Sequence, residues 1–159
     1  SGAIQFYDKR HTFTLAGEHM AYAKGQNDGI INYKEWRICL RVCYDLRFPV
    51  WGRNTTDYDL IIYTANWPHK RIHAWDTLLT ARAIENMSYC IGVNRIDTDG
   101  SDLQYPGHTA IYDFLGEKIG GSTENEEGQI TLQLDKAKQQ LVRTKLNFLN
   151  DRDSFLIQS

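Results

Sequence analysis

Asp59-Leu60-Ile61-Ile62-Tyr63-Thr64-Ala65, the stretch on which the fold reading turns, is followed by a helical stripe and then by Tyr89-Cys90-Ile91-Gly92-Val93-Asn94. The first segment is a short, largely apolar run, the pattern of a buried strand. Ile72, Trp75, Leu79, Ala83 and Met87 then recur at helical spacing, which predicts a helix over residues 70–87 with one apolar face. Tyr89 to Asn94 returns to strand length and composition. Strand, helix and strand in that order predict an α/β layer architecture.

Upstream, Gly29 to Tyr33 and Trp36 to Cys43 read as two strands joined by a turn at Tyr33–Glu35. The second is mostly apolar, as a buried strand should be. Phe48 to Asn54 is read as a short helix with Pro49 in its first turn, where the missing amide hydrogen does no harm. Residues 3–8 alternate and read as a strand. Residues 9–29, with Gly17, Gly25 and Gly29, read as a functional loop holding one helical turn. Downstream, Asp97-Thr98-Asp99-Gly100 is a turn, and His108 to Phe114 and Glu117 to Gly121 form a hairpin around Leu115-Gly116. Gln129 to Leu134 alternates as a half-buried strand, and Asp135 caps a helix over 136–142. The tail, 143–159, carries Phe148, Leu149, Phe155, Leu156 and Ile157 without periodicity, and is expected to pack on a partner. Residues 1–159 read as a single domain, with no repeat or linker.

Bulk composition excludes several functions. The chain is 42% hydrophobic, with four Trp, nine Tyr and six Phe, enough for a real core. A formal net charge of −2, with the basic residues spread along the chain, argues against a nucleic-acid partner. No run of about 18 apolar residues is present to span a membrane, and the first ten residues lack the apolar stretch of a signal peptide. Three cysteines, Cys39, Cys43 and Cys90, form no paired framework, so a soluble, cytoplasmic protein with free thiols is expected. The sequence begins without Met and enters a strand-like pattern at once, which suggests a piece of a longer protein.

Cys43 stands at the C-terminal end of an apolar strand, the place where reactive groups gather in α/β folds. The amide of Tyr44 would point into the turn and could donate to an oxyanion. Free cysteine is also among the most buried residue types, so an inert packing role stands beside the nucleophilic one. Cys39 and Cys90 sit inside apolar strands with nothing to lower a thiol pKa. His11, His19, His69, His73 and His108 could each supply a base, but none lies in a motif that demands pairing with Cys43. His69 and His73 share a helix face, yet Lys70 stands where a zinc protease needs Glu, and no further ligand is apparent. Read locally, Lys9 and Glu18 are solvated charges.

Four segments, in order, carry a resemblance. Tyr7-Asp8-Lys9-Arg10-His11-Thr12-Phe13 resembles the lysine segment of the nitrilase superfamily of carbon–nitrogen hydrolases. Trp36-Arg37-Ile38 with Cys43-Tyr44-Asp45-Leu46-Arg47-Phe48-Pro49 resembles its nucleophile segment. Leu79-Thr80-Ala81-Arg82-Ala83-Ile84-Glu85-Asn86 is similar to its helix between two core strands, and Tyr105-Pro106-Gly107-His108-Thr109, followed by Gly116, to its late hairpin. The wording around Cys43, with Ala65-Asn66-Trp67-Pro68, is closest to the ω-amidase branch.

The resemblance implies a four-layer α-β-β-α sandwich of the nitrilase type, here incomplete at the N-terminus, and no metal or organic cofactor. Cys43 would attack the amide carbon, Lys9 would place a positive charge beside the thiolate and the oxyanion, the Tyr44 amide would complete the oxyanion hole, and Glu18 would orient Lys9 or the substrate. The implied substrate is the amide of a 2-oxo dicarboxylic acid. Arg47 is a candidate for its free carboxylate, with a structural pairing to Asp45 or another carboxylate as the alternative. Trp67 and Phe13 are candidates for apolar walls, with core packing as the alternative. The family's general base is a Glu well upstream of the lysine, whereas only eight residues precede Lys9 and none is Glu. The expectation is therefore a C-terminal two-thirds, inactive alone, that homodimerises as the family does. Another amidase, nitrilase or carbamoylase on the same scaffold, or a non-catalytic subunit, remains an alternative.

Overall fold

The computed structural model describes residues 4–122 and 124–157. A 3-10 turn at Thr14–Ala16 leads into α1 (Glu18–Ala21), followed by the hairpin β1 (Ile30–Tyr33) and β2 (Trp36–Val42). A second 3-10 turn (Cys43–Arg47) leads to α2 (Pro49–Gly52), β3 (Leu60–Ala65), α3 (Ile72–Asn86) and β4 (Tyr89–Asn94). The chain continues through β5 (Ile96–Thr98), β6 (Gln104–Pro106), β7 (Ala110–Tyr112), β8 (Lys118–Gly121) and α4 (Lys136–Leu146).

Six strands form one mixed sheet in the order β1-β2-β3-β4-β7-β8, and β5 and β6 form a separate ribbon. β2, β3 and β4 run parallel, with Cys39 opposite Ile61 and Ile61 opposite Cys90. The alternation of the pleat sends Cys39, Ile61, Tyr63 and Cys90 to one face, where each is wholly buried. There they meet Trp75, Leu79 and Ala83, the predicted stripe of α3, also wholly buried. Gly92 allows this contact: a Cβ there would lie 2.3 Å from Leu79 Cδ1 and 2.6 Å from Trp75 Cζ2. On the opposite face Leu60, Tyr89 and Phe114 form a second cluster, flanked by half-buried Ile38, Ile62 and Ile91 and by Leu134 and Val142.

α4 closes the end of the sheet where β3 and β4 begin. Asp135 caps it by accepting from the Lys138 amide at 2.9 Å. Gln139 Nε2 donates to the carbonyls of Asp59 and Met87, and Arg143 Nε donates to Met87 O at 2.8 Å. The helix runs past the expected end at 142 to Leu146, where Asn147 turns left-handed with φ 57°. In the tail Leu149 is buried, whereas Phe148 and Leu156 are exposed. No described helix is long and apolar enough to cross a membrane.

Two expected strands are absent. Residue 3 lies outside the described residues, and residues 4–8 make no ladder; Ile4 and Phe6 point to solvent. Their alternation has another cause: Tyr7 turns inward, against Gly29 and beneath the Arg41 guanidinium, while its neighbours turn out. Gln129 to Leu134 also joins no ladder. Ile130 and Leu132 rest on Gly120 of β8, so one side is half-covered without strand pairing. The turn expected at Asp97 starts later, because Ile96–Thr98 is β5. Asp99 Oδ1 organises it by accepting from the amides of Ser101 and Leu103.

Candidate active site

β2, β3 and β4 end side by side at Val42, Ala65 and Asn94, and the residues that follow them enter one cleft of about 1250 Å³. Parallel strands place successive loops at their C-terminal ends, so residues remote in sequence converge there. Cys43 is the first residue after β2. Its φ is 47°, the left-handed region that a residue with a Cβ adopts only when its surroundings enforce it.

Asp45, wholly buried, does the enforcing. Its Oδ2 accepts from the Val42 amide at 3.1 Å and from the Tyr7 hydroxyl at 2.7 Å. Its Oδ1 accepts from the His11 amide at 3.0 Å and lies 2.8 Å from His11 Nδ1. Trp51 Nε1 and the Arg10 amide donate to the Tyr7 oxygen. The Tyr7–His11 segment is thus pinned to the Cys43 turn, and Lys9, in the middle of that segment, is held in the cleft. Gly25 locks the outer side: its amide donates to Lys9 O at 2.9 Å, and a Cβ there would fall 1.9 Å from Asp8 O.

Lys9 Nζ lies 2.5 Å from Glu18 Oε2, which also accepts from the Phe13 amide at 2.8 Å. Burial pushes the Glu18 carboxyl up, but Lys9 and the Phe13 amide together outweigh it, and it sits below its ordinary value. Burial lowers His11, against the opposing pull of Asp45, so the ring is neutral at pH 7 and Nδ1 donates to the carboxylate. Burial and then Asp45 raise the Tyr7 hydroxyl, which keeps its proton and remains a donor.

Cys43 is half-buried, with Sγ 3.9 Å from Asn66 O. Burial raises its thiol pKa, while Lys9 is the strongest charge acting to lower it. Burial prevails in the free protein, so Lys9 by itself does not make Cys43 a resting thiolate. Cys39 and Cys90 are wholly buried, and burial pushes Cys39 up to about 12.

All seven residues singled out by sequence, Cys43, Lys9, Glu18, Tyr44, Arg47, Trp67 and Phe13, line this cleft. The Arg47 guanidinium stacks 5.1 Å from the Trp67 ring centre, and Asp45 is occupied by other donors, which removes the alternative of an Arg47–Asp45 pair. Trp67 is buried and fixed by Asn94, whose Oδ1 accepts from the Trp67 amide at 2.7 Å and whose Nδ2 donates to Trp67 O at 2.9 Å. Phe13 packs on Tyr44 with centroids 4.8 Å apart and carries the Arg71 guanidinium on its ring. Sequence reasoning missed Asp45, Tyr7, His11 and Asn94 as the frame, and Arg71 and Arg95 as further cleft cations. Asp45 and His11 lay inside quoted motifs; Arg71 and Arg95 carried no local signal. Five basic residues, Lys9, Lys24, Arg47, Arg71 and Arg95, and two acidic ones, Asp8 and Glu18, line the cleft, in a chain whose net charge is −2. Among the described residues no group of three or more His, Cys, Asp or Glu side chains is placed to hold a metal.

Cys43 follows β2, the first of the three parallel strands, and shares its cleft with the Lys9–Glu18 pair. The chain belongs to the carbon–nitrogen hydrolase family, whose model matches residues 2–144. Omega-amidase YafV of Yersinia enterocolitica is 44% identical over 156 residues, covering 98% of this chain and 61% of that protein. A 2-oxoglutaramate amidase of Bacillus subtilis is 32% identical, covering 93% of this chain and 57% of that protein. Among solved structures, XC1258 from Xanthomonas campestris, a CN-hydrolase superfamily protein with an arsenic adduct in its active site, superimposes with a TM-score of 0.95 at 42% identity, over 99% of this chain and 62% of that one. The α/β nitrilase-superfamily fold is thereby shown. The chain spans about 60% of the length of these relatives. The matches run over nearly all of this chain.

Proposed function

We propose that Cys43 is the nucleophile of an ω-amidase-like site that hydrolyses the terminal amide of a 2-oxo dicarboxylic acid, with 2-oxoglutaramate as the representative substrate. The observation that carries this reading is the left-handed Cys43 at the strand end, in one cleft with the Lys9–Glu18 pair and an excess of cations. The relatives named for ω-amidase and 2-oxoglutaramate amidase activity support the substrate class.

In this reading the Cys43 sulfur attacks the amide carbon. The carbonyl electrons move onto oxygen, where the Lys9 ammonium and the Tyr44 amide stabilise them; one such donor contributes about 3 kcal/mol in comparable sites. Collapse re-forms the carbonyl and breaks the C–N bond, and nitrogen leaves as ammonia carrying the proton that the Cys43 thiol gave up on attack. Water then attacks the thioester and releases the acid and the thiol. Glu18 holds Lys9 in place. Arg47, stacked on Trp67, and Phe13 contact the rest of the substrate. No residue of this chain is assigned as the general base: Glu18 is committed to Lys9, and Glu85 is bound to Arg82 at 2.8 Å. No cofactor takes part. A homodimer in the reducing cytoplasm completes the reading, the latter in keeping with three free thiols.

Ammonia release from 2-oxoglutaramate by the native protein is expected to vanish in Cys43→Ala, and retained turnover ends the nucleophile assignment. A panel of 2-oxoglutaramate, glutamine, N-carbamoyl amino acids and nitriles separates this substrate class from others on the same scaffold.

A further inference from the structure

Arg71 and Arg95 are 24 positions apart in sequence and both line the cleft that holds Cys43. Arg71 Cζ lies 5.4 Å from the Phe13 ring centre, and Arg95 Cζ lies 4.6 Å from that of Tyr105. Tyr105 is itself buried and fixed, its hydroxyl donating to Asp99 Oδ2 at 2.7 Å. Among the described residues neither arginine has a carboxylate within 4 Å, unlike Arg82, Arg143 and Arg152 elsewhere in the fold. A guanidinium laid on an aromatic face keeps its edge donors free, and those donors match a carboxylate bidentately. Both line a cleft with more cations than carboxylates, and Asp99, the acid that interacts with Arg95, already accepts from the Tyr105 hydroxyl and from the amides of Ser101 and Leu103.

We infer that Arg71 and Arg95 bind the free carboxylate end of the substrate, so that the site selects amides of short dicarboxylic acids over neutral amides of equal length. This rests on the reading of Cys43 as the nucleophile. Phe13 and Tyr105 are then the platforms that hold the two guanidinium planes. Phe13 lies just after the Lys9 segment and Tyr105 lies on β6, so the two cations approach a ligand from separate elements.

The test is protection of Cys43 from iodoacetamide, followed by mass spectrometry, with glutarate or the uncharged glutaric diamide as the protecting ligand. Each protein is compared with its own unprotected rate. Glutarate is expected to half-protect at a concentration about tenfold or more below that of the diamide, as charge-assisted hydrogen bonds of this kind allow. Arg71→Ala and Arg95→Ala should each remove about tenfold of the glutarate protection and leave that of the diamide within about twofold. Diamide protection in each variant shows the cleft intact, and Arg71→Lys should recover part of the loss. Equal protection by the two ligands in the parent protein overturns the inference, as does unchanged glutarate protection in both alanine variants. The readout is occupancy rather than turnover. Preserved discrimination without hydrolysis therefore counts against the amidase reading and leaves the arginine assignment standing.

Discussion

The two ends of the parallel strands each bury one carboxylate, Asp45 beyond β2 and Asp59 before β3, and they surround it with different donors. Asp59 accepts from Lys136, Gln140 and Arg143, all on α4, and from the Arg37 amide. Among the described residues Asp45 accepts only from neutral groups: the Tyr7 hydroxyl, the Val42 amide, and the amide and ring of His11. At the α4 end the charges cancel locally, and the result is a staple. At the Cys43 end nothing cancels Asp45 directly, so its negative charge reaches Cys43 and acts to raise the thiol pKa. The cations at that end, Arg47, Arg71 and Arg95, rest on aromatic rings instead of carboxylates and stay available to a ligand. A closed ionic network stabilises one end, whereas the open one at the other end is free to recognise an anion.

The largest expected effect comes from breaking the staple. Asp59→Ala leaves Lys136 and Arg143 without their partner and should cost about 3–5 kcal/mol of unfolding free energy by urea titration. The pH profile of Cys43 alkylation should be unchanged in the molecules that remain folded. A shifted profile would show that the two ends are coupled.

Asp45→Asn tests the other end. The amide sets an N–H against donors that require an acceptor, at a cost of about 1–3 kcal/mol. Losing the negative charge should also lower the Cys43 thiol pKa, so alkylation near neutral pH speeds up while turnover falls with the misplaced turn. If both rates move together, Asp45 acts through charge alone.

Lys9→Met removes the strongest charge that lowers the Cys43 pKa. The midpoint of the alkylation–pH curve should move upward, because a positive charge in the same cleft favours the thiolate. A midpoint that stays in place would remove Lys9 from the electrostatics of the nucleophile.

Glu18→Gln should have the smallest effect on stability. The Glu18 carboxyl is held below its ordinary value in the folded protein, so its contribution is present at neutral pH and is lost as pH falls through that lowered value. The pair is partly exposed, and a loss of about 0–1 kcal/mol is expected at pH 7 and none at an acidic pH where the carboxyl is protonated in the folded protein. Urea midpoints at the two pH values measure the difference. An equal loss at both would mean that Glu18 acts by packing and not through its charge.

Much of this was legible in the sequence. The apolar run 59–65, the stripe of α3 and the strand 89–94 declared themselves because the core buries Leu60, Ile61, Tyr63, Tyr89 and Cys90 together with Trp75, Leu79 and Ala83 of the stripe. The alternation at 4–8 and 129–134 misled because a single inward residue, or one side resting on Gly120, produces the same period of two without a ladder. In the site, Cys43 and Lys9 were found through the motifs that contain them and Glu18 through the family resemblance, because read locally Lys9 and Glu18 are solvated charges and Cys43 has an inert packing role beside the nucleophilic one.

The sequence by itself determined the α/β class and the nucleophile candidate, because helical and strand periods and the motif around Cys43 are local properties of the chain. Only the tertiary structure decided the rest. It turned Cys43 left-handed over a buried Asp45 and joined Lys9 to Glu18. It also brought Arg71 and Arg95 into the cleft of a chain whose net charge is negative. Those relations depend on where parallel strands end together in space, and the order of the residues along the chain does not record that.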